Sequence, residues 1–154
     1  MSTASPVSSF LALRRIAFVG LSRNPRDFSR ALFRDWAARG YDLVPVHPSM
    51  AEAEGQPCYA RVQDVPGGVE GVFVMTAPAA AEQVLRDAAD AGVKRAWLHR
   101  GAGQGAVSPA ALAVARERGL EVVAGACPYM FLAGAGAVHR FHGFVLKLLG
   151  RKPA

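Results

Sequence analysis

The sequence predicts an α/β fold in which helices cover both faces of a five-stranded parallel sheet. Short apolar runs, each long enough for one buried strand, alternate along the chain with amphipathic segments at helical spacing. Each helical segment ends at a glycine or polar turn before the next apolar run, which is the pattern of consecutive βαβ units. The predicted strands span, in chain order, residues 16–19, 41–46, 71–75, 95–98 and 120–124.

For five parallel strands with right-handed crossovers, we expect a doubly wound, Rossmann-like sheet of order 3-2-1-4-5. Ligands bind such sheets at the carboxyl ends of the strands, where the order reverses. The expected crevice therefore lies between the first and fourth strands. A chain of 154 residues is long enough for one well-packed domain. We expect its core over 14–128 and a helical tail over 129–154.

The first strand, the loop after it and the next helix organise the rest of the chain. Residues 16–19 are all apolar, as expected of a central strand covered on both faces. Gly20 ends the strand, and Asp27 or Ser29 can cap the helix. A strand that turns into a helix aims backbone N–H groups and the helix dipole at one point, which favours an anion there. An ordinary turn accounts for these residues equally well, because the loop lacks Gly-x-Gly-x-x-Gly.

Local signals predict the remaining elements. Pro45 in the second strand lacks an N–H, so it needs an unpaired position in the ladder. Residues 51–66 are expected to be irregular, because glycine and proline interrupt them. Pro78 and Pro109 mark the first turns of two further helices. An apolar stripe over 138–149 predicts a helix in the tail that packs against the body.

Composition narrows the class of protein. No apolar run approaches the ~20 residues of a membrane span, and the first residues lack the features of a signal peptide. Two cysteines are too few for a disulfide framework, so we expect a reduced, cytoplasmic protein without a membrane partner. The net charge is +6, and 15 of the 18 basic residues are arginine. This charge suits an anionic small molecule or reflects codon bias. The arginines are scattered, so we expect no nucleic acid partner.

Several short motifs recur in order along the chain, and together they point to one family. They are Val19-Gly20-x-Ser22-Arg23-Asn24-Pro25, Gly40-Tyr41-x-x-x-Pro45-Val46-x-Pro48, Gly55 with Tyr59, Gly92-Val93-Lys94-x-x-Trp97-x-x-x-Gly101, Gly119-Leu120-x-Val122-Val123 and Cys127-Pro128. The series resembles the small single-domain CoA-binding proteins, which are similar to the CoA-binding domain of succinyl-CoA synthetase α chains. It covers roughly residues 15–128.

The resemblance implies that the chain binds coenzyme A or an acyl-CoA, with the diphosphate at the first loop. It also implies binding without intrinsic catalysis, because the ligase domains react only with a second, nucleotide-binding domain. A homo-oligomer or a partner enzyme is compatible with this reading. Carried over by position, the expected cofactor-binding residues are Gly20, Leu21, Ser22, Arg23, Asn24, Ser29, His47, Pro48, Thr76, Ala77, Pro78, His99 and Gly101.

Other functions stay open. Cys127 follows the last strand and could react with the CoA thiol or an acyl group, or be a small buried apolar residue. His47 and His99 could act as general bases or simply bond the loops they occupy. Such groups would suit an acyl-CoA-processing enzyme or a ligase subunit that needs a partner. An NAD(H)-binding redox sensor is disfavoured, because no acid follows the second strand to bind the ribose. We expect no metal site.

Overall fold

The computed structural model describes residues 5–100 and 105–128, and it confirms the α/β fold class. The sheet contains β1 (Arg15–Val19), β2 (Asp42–Val46), β5 (Gly71–Val74), β6 (Arg95–Leu98) and β7 (Glu121–Ala124). A separate hairpin consists of β3 (Glu52–Ala53) and β4 (Gln56–Pro57). The helices are α1 (Pro6–Leu11), α2 (Phe28–Ala38), α3 (Pro78–Asp90) and α4 (Pro109–Glu117), with one 3₁₀ turn at Val62–Asp64.

The sheet is Rossmann-like and doubly wound, but its third strand lies in a different place from the expected one. The observed order is β2-β1-β5-β6-β7, and all neighbouring strands are parallel. Counted along the chain this is 2-1-3-4-5, whereas the expected order placed the third strand outside the second. β5 pairs with β1 on one side and with β6 on the other, so it is an internal strand. The winding therefore reverses between β1 and β5, and the crevice lies there.

Pro45 explains why β2 is an edge strand. It lies opposite Phe18 of β1. Its carbonyl faces away from β1 and accepts a hydrogen bond from the Tyr59 N–H at 3.1 Å. The N and the carbonyl of one strand residue point to the same side, so the missing N–H leaves no gap in the β1–β2 ladder. The predicted unpaired position for this proline is confirmed.

The two faces of the sheet bury different kinds of core. The face under α3 and α4 packs mostly valines, alanines and leucines. The face under α1 and α2 is aromatic, with ring centroids 4.9–6.4 Å apart among Phe10, Phe18, Phe33, Trp36, Phe73 and Trp97. The side chains under α3 and α4 are the smaller ones, and the cavity described below opens on their side of the sheet.

The expectation that residues 51–66 are irregular is wrong in part, because they contain the β3–β4 hairpin. Its two turn residues, Glu54 and Gly55, have φ of 52° and 78°, as in the turns that suit short hairpins. Within the described part of the chain, no helix is long and apolar enough to cross a membrane. The predicted tail helix lies outside the described residues, and the division into core and tail stays a prediction.

Two fully buried tryptophans allow a matched test of one buried hydrogen bond. The Trp97 indole N–H donates to the Ala126 carbonyl at 2.8 Å, whereas the Trp36 N–H has no partner among the described residues. Replacement by Phe removes a similar apolar area at both positions, but only Trp97→Phe leaves a carbonyl unpaired. We expect Trp97→Phe to lower the free energy of unfolding by ~1–3 kcal/mol more than Trp36→Phe. Chemical denaturation measures both, and equal losses would contradict this account.

Candidate functional site

The crevice begins where the loop after β1 touches the loop after β5. Gly20 has a φ of +106°, and a Cβ placed on it would lie 2.7 Å from the Met75 carbonyl oxygen and 3.2 Å from a methyl carbon of Thr76. Real Cβ atoms do not approach a carbonyl so closely, so only glycine fits here. Gly20 is therefore required for contact between the two loops, before any ligand is considered.

The loop after β1 is held by its own polar groups. The Ser22 N–H donates to Ser29 Oγ at 2.9 Å, the Asn24 N–H to Ser22 Oγ at 3.1 Å, and the Arg26 N–H to Asn24 Oδ1 at 3.0 Å. These N–H groups are satisfied inside the loop, so they are not free to bind an anion. The groups that the loop can still offer a phosphate include the exposed side chains of Arg23 and Arg26 and the hydroxyl proton of Ser22.

Two arginines of α2 connect this loop to the hairpin. Arg30 donates to the Ser22 carbonyl at 2.8 Å, and Arg34 donates to the Pro25 carbonyl at 2.8 Å. Glu54 at the hairpin turn accepts from the Nε atoms of Arg30 at 3.3 Å and Arg34 at 2.7 Å. The Arg30–Glu54 pair is shielded from water, with side chains 9% and 16% exposed, so solvent screens it less than a surface pair. The cluster holds the loop carbonyls inward.

Asp27 is the N-cap of α2, and it is one of the two residues predicted for that position. Its carboxylate accepts a hydrogen bond from the Ser29 N–H at 2.9 Å. The hydrogen bonds from the backbone and side chain of Ser29 hold the pKa of Asp27 below its usual value. The negative charge of Asp27 offsets the positive end of the helix dipole. The helix N-terminus alone is therefore a weaker anion site than the sequence suggests.

A cavity of about 570 Å³ opens beside the loop, on the face of the sheet that α3 covers. This size is typical of pockets for small molecules and cofactors. Its walls are mostly apolar and are formed by the ends of β1 and β2, the segment before the 3₁₀ turn, and one side of α3. The apolar lining residues are Val19, Val46, Ala60, Val62, Ala80 and Val84.

His47 lines this cavity, and its hydrogen bonds determine which ring nitrogen carries the proton. Its Nδ1 accepts from the N–H groups of Ser49 at 3.0 Å and Met50 at 3.2 Å, so the neutral ring carries its proton on Nε2. Burial lowers the pKa of His47, and the nearby charge of Arg23 lowers it further. The ring is therefore neutral at pH 7 and presents an N–H donor. Nδ1 already accepts two hydrogen bonds and Nε2 carries the proton, so neither nitrogen is free to act as a general base.

The structure brings four of the expected residues together at the cavity, namely Gly20, His47, Pro48 and Thr76. The other described ones are not part of its walls: Leu21, Ser22, Arg23, Asn24, Ser29, Ala77, Pro78 and His99. Leu21 and Ser29 are buried, and Ser29 accepts a hydrogen bond inside the loop. Gly101 lies outside the described residues. The binding roles of all these residues stay predictions.

His99 and Cys127 lie toward the α2 face. The His99 ring is 8% exposed and contacts Phe28 and Phe73, with centroid distances of 5.9 Å to each. Burial lowers the pKa of His99, so it is neutral at pH 7. Cys127 is half-buried against the aromatic core. Burial raises the pKa of the Cys58 thiol, which disfavours Cys58 as a nucleophile. A reactive role for Cys127 stays a prediction.

Several side chains of the site had no signal in the sequence. Arg61, Gln83 and Asp87 line the cavity, and Glu54 pairs with α2. Gln83 and Asp87 fall on an amphipathic helix, where polar residues normally face solvent. Gln83 donates to Asp87 one turn away on the same helix, but the other donors to Asp87, Arg61 and Gln63, lie in another segment that only the folded chain brings close.

The sequence of this chain matches a known protein family. A model described as a CoA binding domain matches residues 14–133. The chain belongs to this CoA-binding domain family. The resemblance noted from the motifs is thereby confirmed. A curated relative, the uncharacterized protein YneT of Bacillus subtilis, is 31% identical over 118 residues, which are 74% of this chain and 82% of that protein.

Solved structures with this fold include a chain of similar size and part of a much longer enzyme. A hypothetical protein from Pyrococcus horikoshii is 26% identical, with a TM-score of 0.73 over 83% of this chain and 93% of that chain. The dinucleotide-forming acetyl-coenzyme A synthetase 1 of Candidatus Korarchaeum cryptofilum is also 26% identical, with a TM-score of 0.62. That match covers 72% of this chain but only 26% of the synthetase. The fold thus occurs both in chains of this size and within a larger enzyme.

Gly20 and Gly92 form a matched pair for testing the contact between the loops. Both have positive φ, but a Cβ on Gly92 would meet no atom within 4 Å. Replacement by Ala costs backbone strain at both positions, and only Gly20→Ala adds a clash with the Met75 carbonyl. We expect Gly20→Ala to lower the free energy of unfolding by ~1–3 kcal/mol more than Gly92→Ala. Chemical denaturation of the two variants measures this difference. Similar losses would mean that the loops move apart freely.

Proposed function

We propose that this chain binds coenzyme A or an acyl-CoA and has no catalytic activity of its own. The proposal rests on one juxtaposition: Gly20 and Thr76 line the apolar cavity and also form the contact between the β1 and β5 loops. A ligand with an apolar ring system at one end and phosphates next to it suits that arrangement. The adenosine of CoA would occupy the cavity, and its diphosphate would cross the loop after β1.

Arg23 would supply the charge that holds the phosphates. Its guanidinium extends from the β1 loop to the β2 loop, where it donates to the hydroxyl of Ser49. Its charge also lowers the pKa of His47, so the two side chains are close. A phosphate beside them would meet the Arg23 guanidinium and the Nε2–H of His47. Charge-assisted hydrogen bonds of this kind are stronger than neutral ones.

The pantetheine arm would then extend toward the opposite face of the sheet. Phe28 stands at the start of α2 with 45% of its surface exposed, although it is a large apolar residue. Its ring contacts His99, which follows β6 at the same edge. An exposed aromatic side chain beside a crevice offers a surface for an apolar arm. Cys127 follows β7 at this edge, so a thiol at the end of the arm would come toward it.

A second candidate is a CoA-presenting subunit that works with a separate enzyme. It is supported by the similarity to part of an acetyl-coenzyme A synthetase. NAD(H) is the less suitable ligand. The chain continues from β2 as Val46-His47-Pro48, and His47 presents a donor where an NAD ribose diol needs an acceptor.

Titration calorimetry with CoA, dephospho-CoA and NADH tests the proposed function. CoA should bind more tightly than the other two, because it alone carries the ribose phosphate. Arg23→Ala should weaken CoA binding roughly ten- to a hundredfold, the effect of losing one charge-assisted contact. Arg116→Ala is the matched control, since it removes the same charge from an exposed position on α4.

The control variant should retain the affinity of the parent for CoA. Tightest binding of NADH would refute the CoA assignment. Equal effects of the two arginine substitutions would show that net charge, rather than Arg23 itself, governs binding.

A further inference from the structure

Asp87 is a buried acid in the wall of the cavity, and the proposed function leaves it unused. It lies on α3, is 6% exposed and borders the cavity. Three side chains donate hydrogen bonds to it: Arg61 at 3.1 Å, Gln63 at 3.0 Å and Gln83 at 3.0 Å. All three donate to the same carboxylate oxygen, Oδ1.

The other carboxylate oxygen, Oδ2, has no donor among the residues that the structure describes. It is also not one of the side-chain oxygens that are sealed from solvent without a partner. Oδ2 therefore keeps some accessible surface, and Asp87 borders the cavity. An accessible acceptor in a mostly apolar wall is suited to a ligand that brings a hydrogen-bond donor.

The charge of Asp87 limits which part of a ligand can enter. Burial raises the pKa of Asp87, but the hydrogen bonds from Gln63, Gln83 and Arg61 lower it by more, so the net shift is downward. The group is a carboxylate at neutral pH and can only accept hydrogen bonds. Arg61 lines the same cavity and pairs with Asp87, so it offsets part of this charge. Oδ2 can still accept from an N–H group, whereas a phosphate brings mainly acceptor oxygens and is better matched by the Arg23 guanidinium.

We propose that Asp87 is a specificity-determining residue whose Oδ2 accepts a hydrogen bond from the exocyclic amine of an aminopurine in the cavity. The inference rests on the proposed function, and it adds the part of the ligand that the cavity recognises. The base would lie between Val46, Val62 and Val84, with its amine directed at the acid.

Asp87 also has a structural role, and the two roles use different atoms. Gln63 lies in the 3₁₀ turn and Arg61 directly precedes it, so their hydrogen bonds to Oδ1 join that turn to α3. An Asn at this position can keep an acceptor oxygen for those donors. Its NH₂ group then replaces Oδ2, which turns the acceptor facing the cavity into a donor. Asp87→Asn therefore changes recognition of the base with little effect on the anchor.

Gln63→Met provides the matched control. It removes one donor to Oδ1 and leaves Oδ2 unchanged, and Gln63 is not one of the residues that line the cavity. If Asp87 only anchors the turn, this variant and Asp87→Asn should affect all ligands alike. If Oδ2 recognises the amine, only Asp87→Asn should alter the choice between ligands.

The experiment compares the affinity of each protein for CoA and for a CoA analogue with hydrogen in place of the 6-amino group. The parent protein should prefer CoA roughly ten- to a hundredfold, because the analogue covers Oδ2 without donating a hydrogen bond to it. In Asp87→Asn the preference should fall to about one or reverse. Gln63→Met should keep the preference of the parent.

The preference of the parent is a test that does not depend on whether any variant folds. Equal affinity of the parent for CoA and the analogue overturns the role of Asp87 while CoA binding itself stands. A full preference in Asp87→Asn overturns it as well. If the parent binds neither ligand, the proposed function and this inference fail together.

Discussion

The contact between Gly20 and the Met75 carbonyl determines where the loops after β1 and β5 meet. The loops after β1 and β5 diverge to opposite faces of the sheet, because the winding reverses between these two strands. At the point of divergence they touch, and there is no room for a side chain on Gly20. The cavity on the α3 face and the basic loop on the α2 face therefore meet at one position. A ligand that uses both must cross the sheet edge at this contact.

The loop satisfies its own backbone donors and relies on side-chain charge. Ser22, Asn24 and Arg26 use their N–H groups inside the loop, while Arg30 and Arg34 hold two of its carbonyls. The conformation is thus set before a ligand arrives, which reduces the entropy lost on binding. The exposed side chains of Arg23 and Arg26 give the loop its positive charge. Salt screens exposed charges of this kind, so an anion held at the proposed site would be sensitive to ionic strength.

The sequence was sufficient for the fold class, because each strand and helix has its own local signal. The sequence did not predict the strand order, because local periodicity does not say which strands are neighbours. One residue did carry part of that information, because Pro45 favours an edge position for β2. Gly20, His47 and Thr76 were predicted at the site because they follow parallel strands. Asp87 and Glu54 were not, since all their partners but Gln83 lie 20 to 26 residues away in sequence.

The distribution of charge at the site gives the ligand a direction. A buried carboxylate is costly, and a well-packed apolar residue is often as stable or more stable at such a position. One oxygen of Asp87 takes three donors, which is sufficient to anchor the 3₁₀ turn, while the second faces accessible space with no donor. Arg61 pairs with this acid in the cavity wall, whereas the Arg23 guanidinium lies at the loop after β1. An acceptor oxygen in the cavity wall and a cation at the loop would suit a ligand whose donor-bearing ring enters the cavity and whose anionic groups remain at the loop.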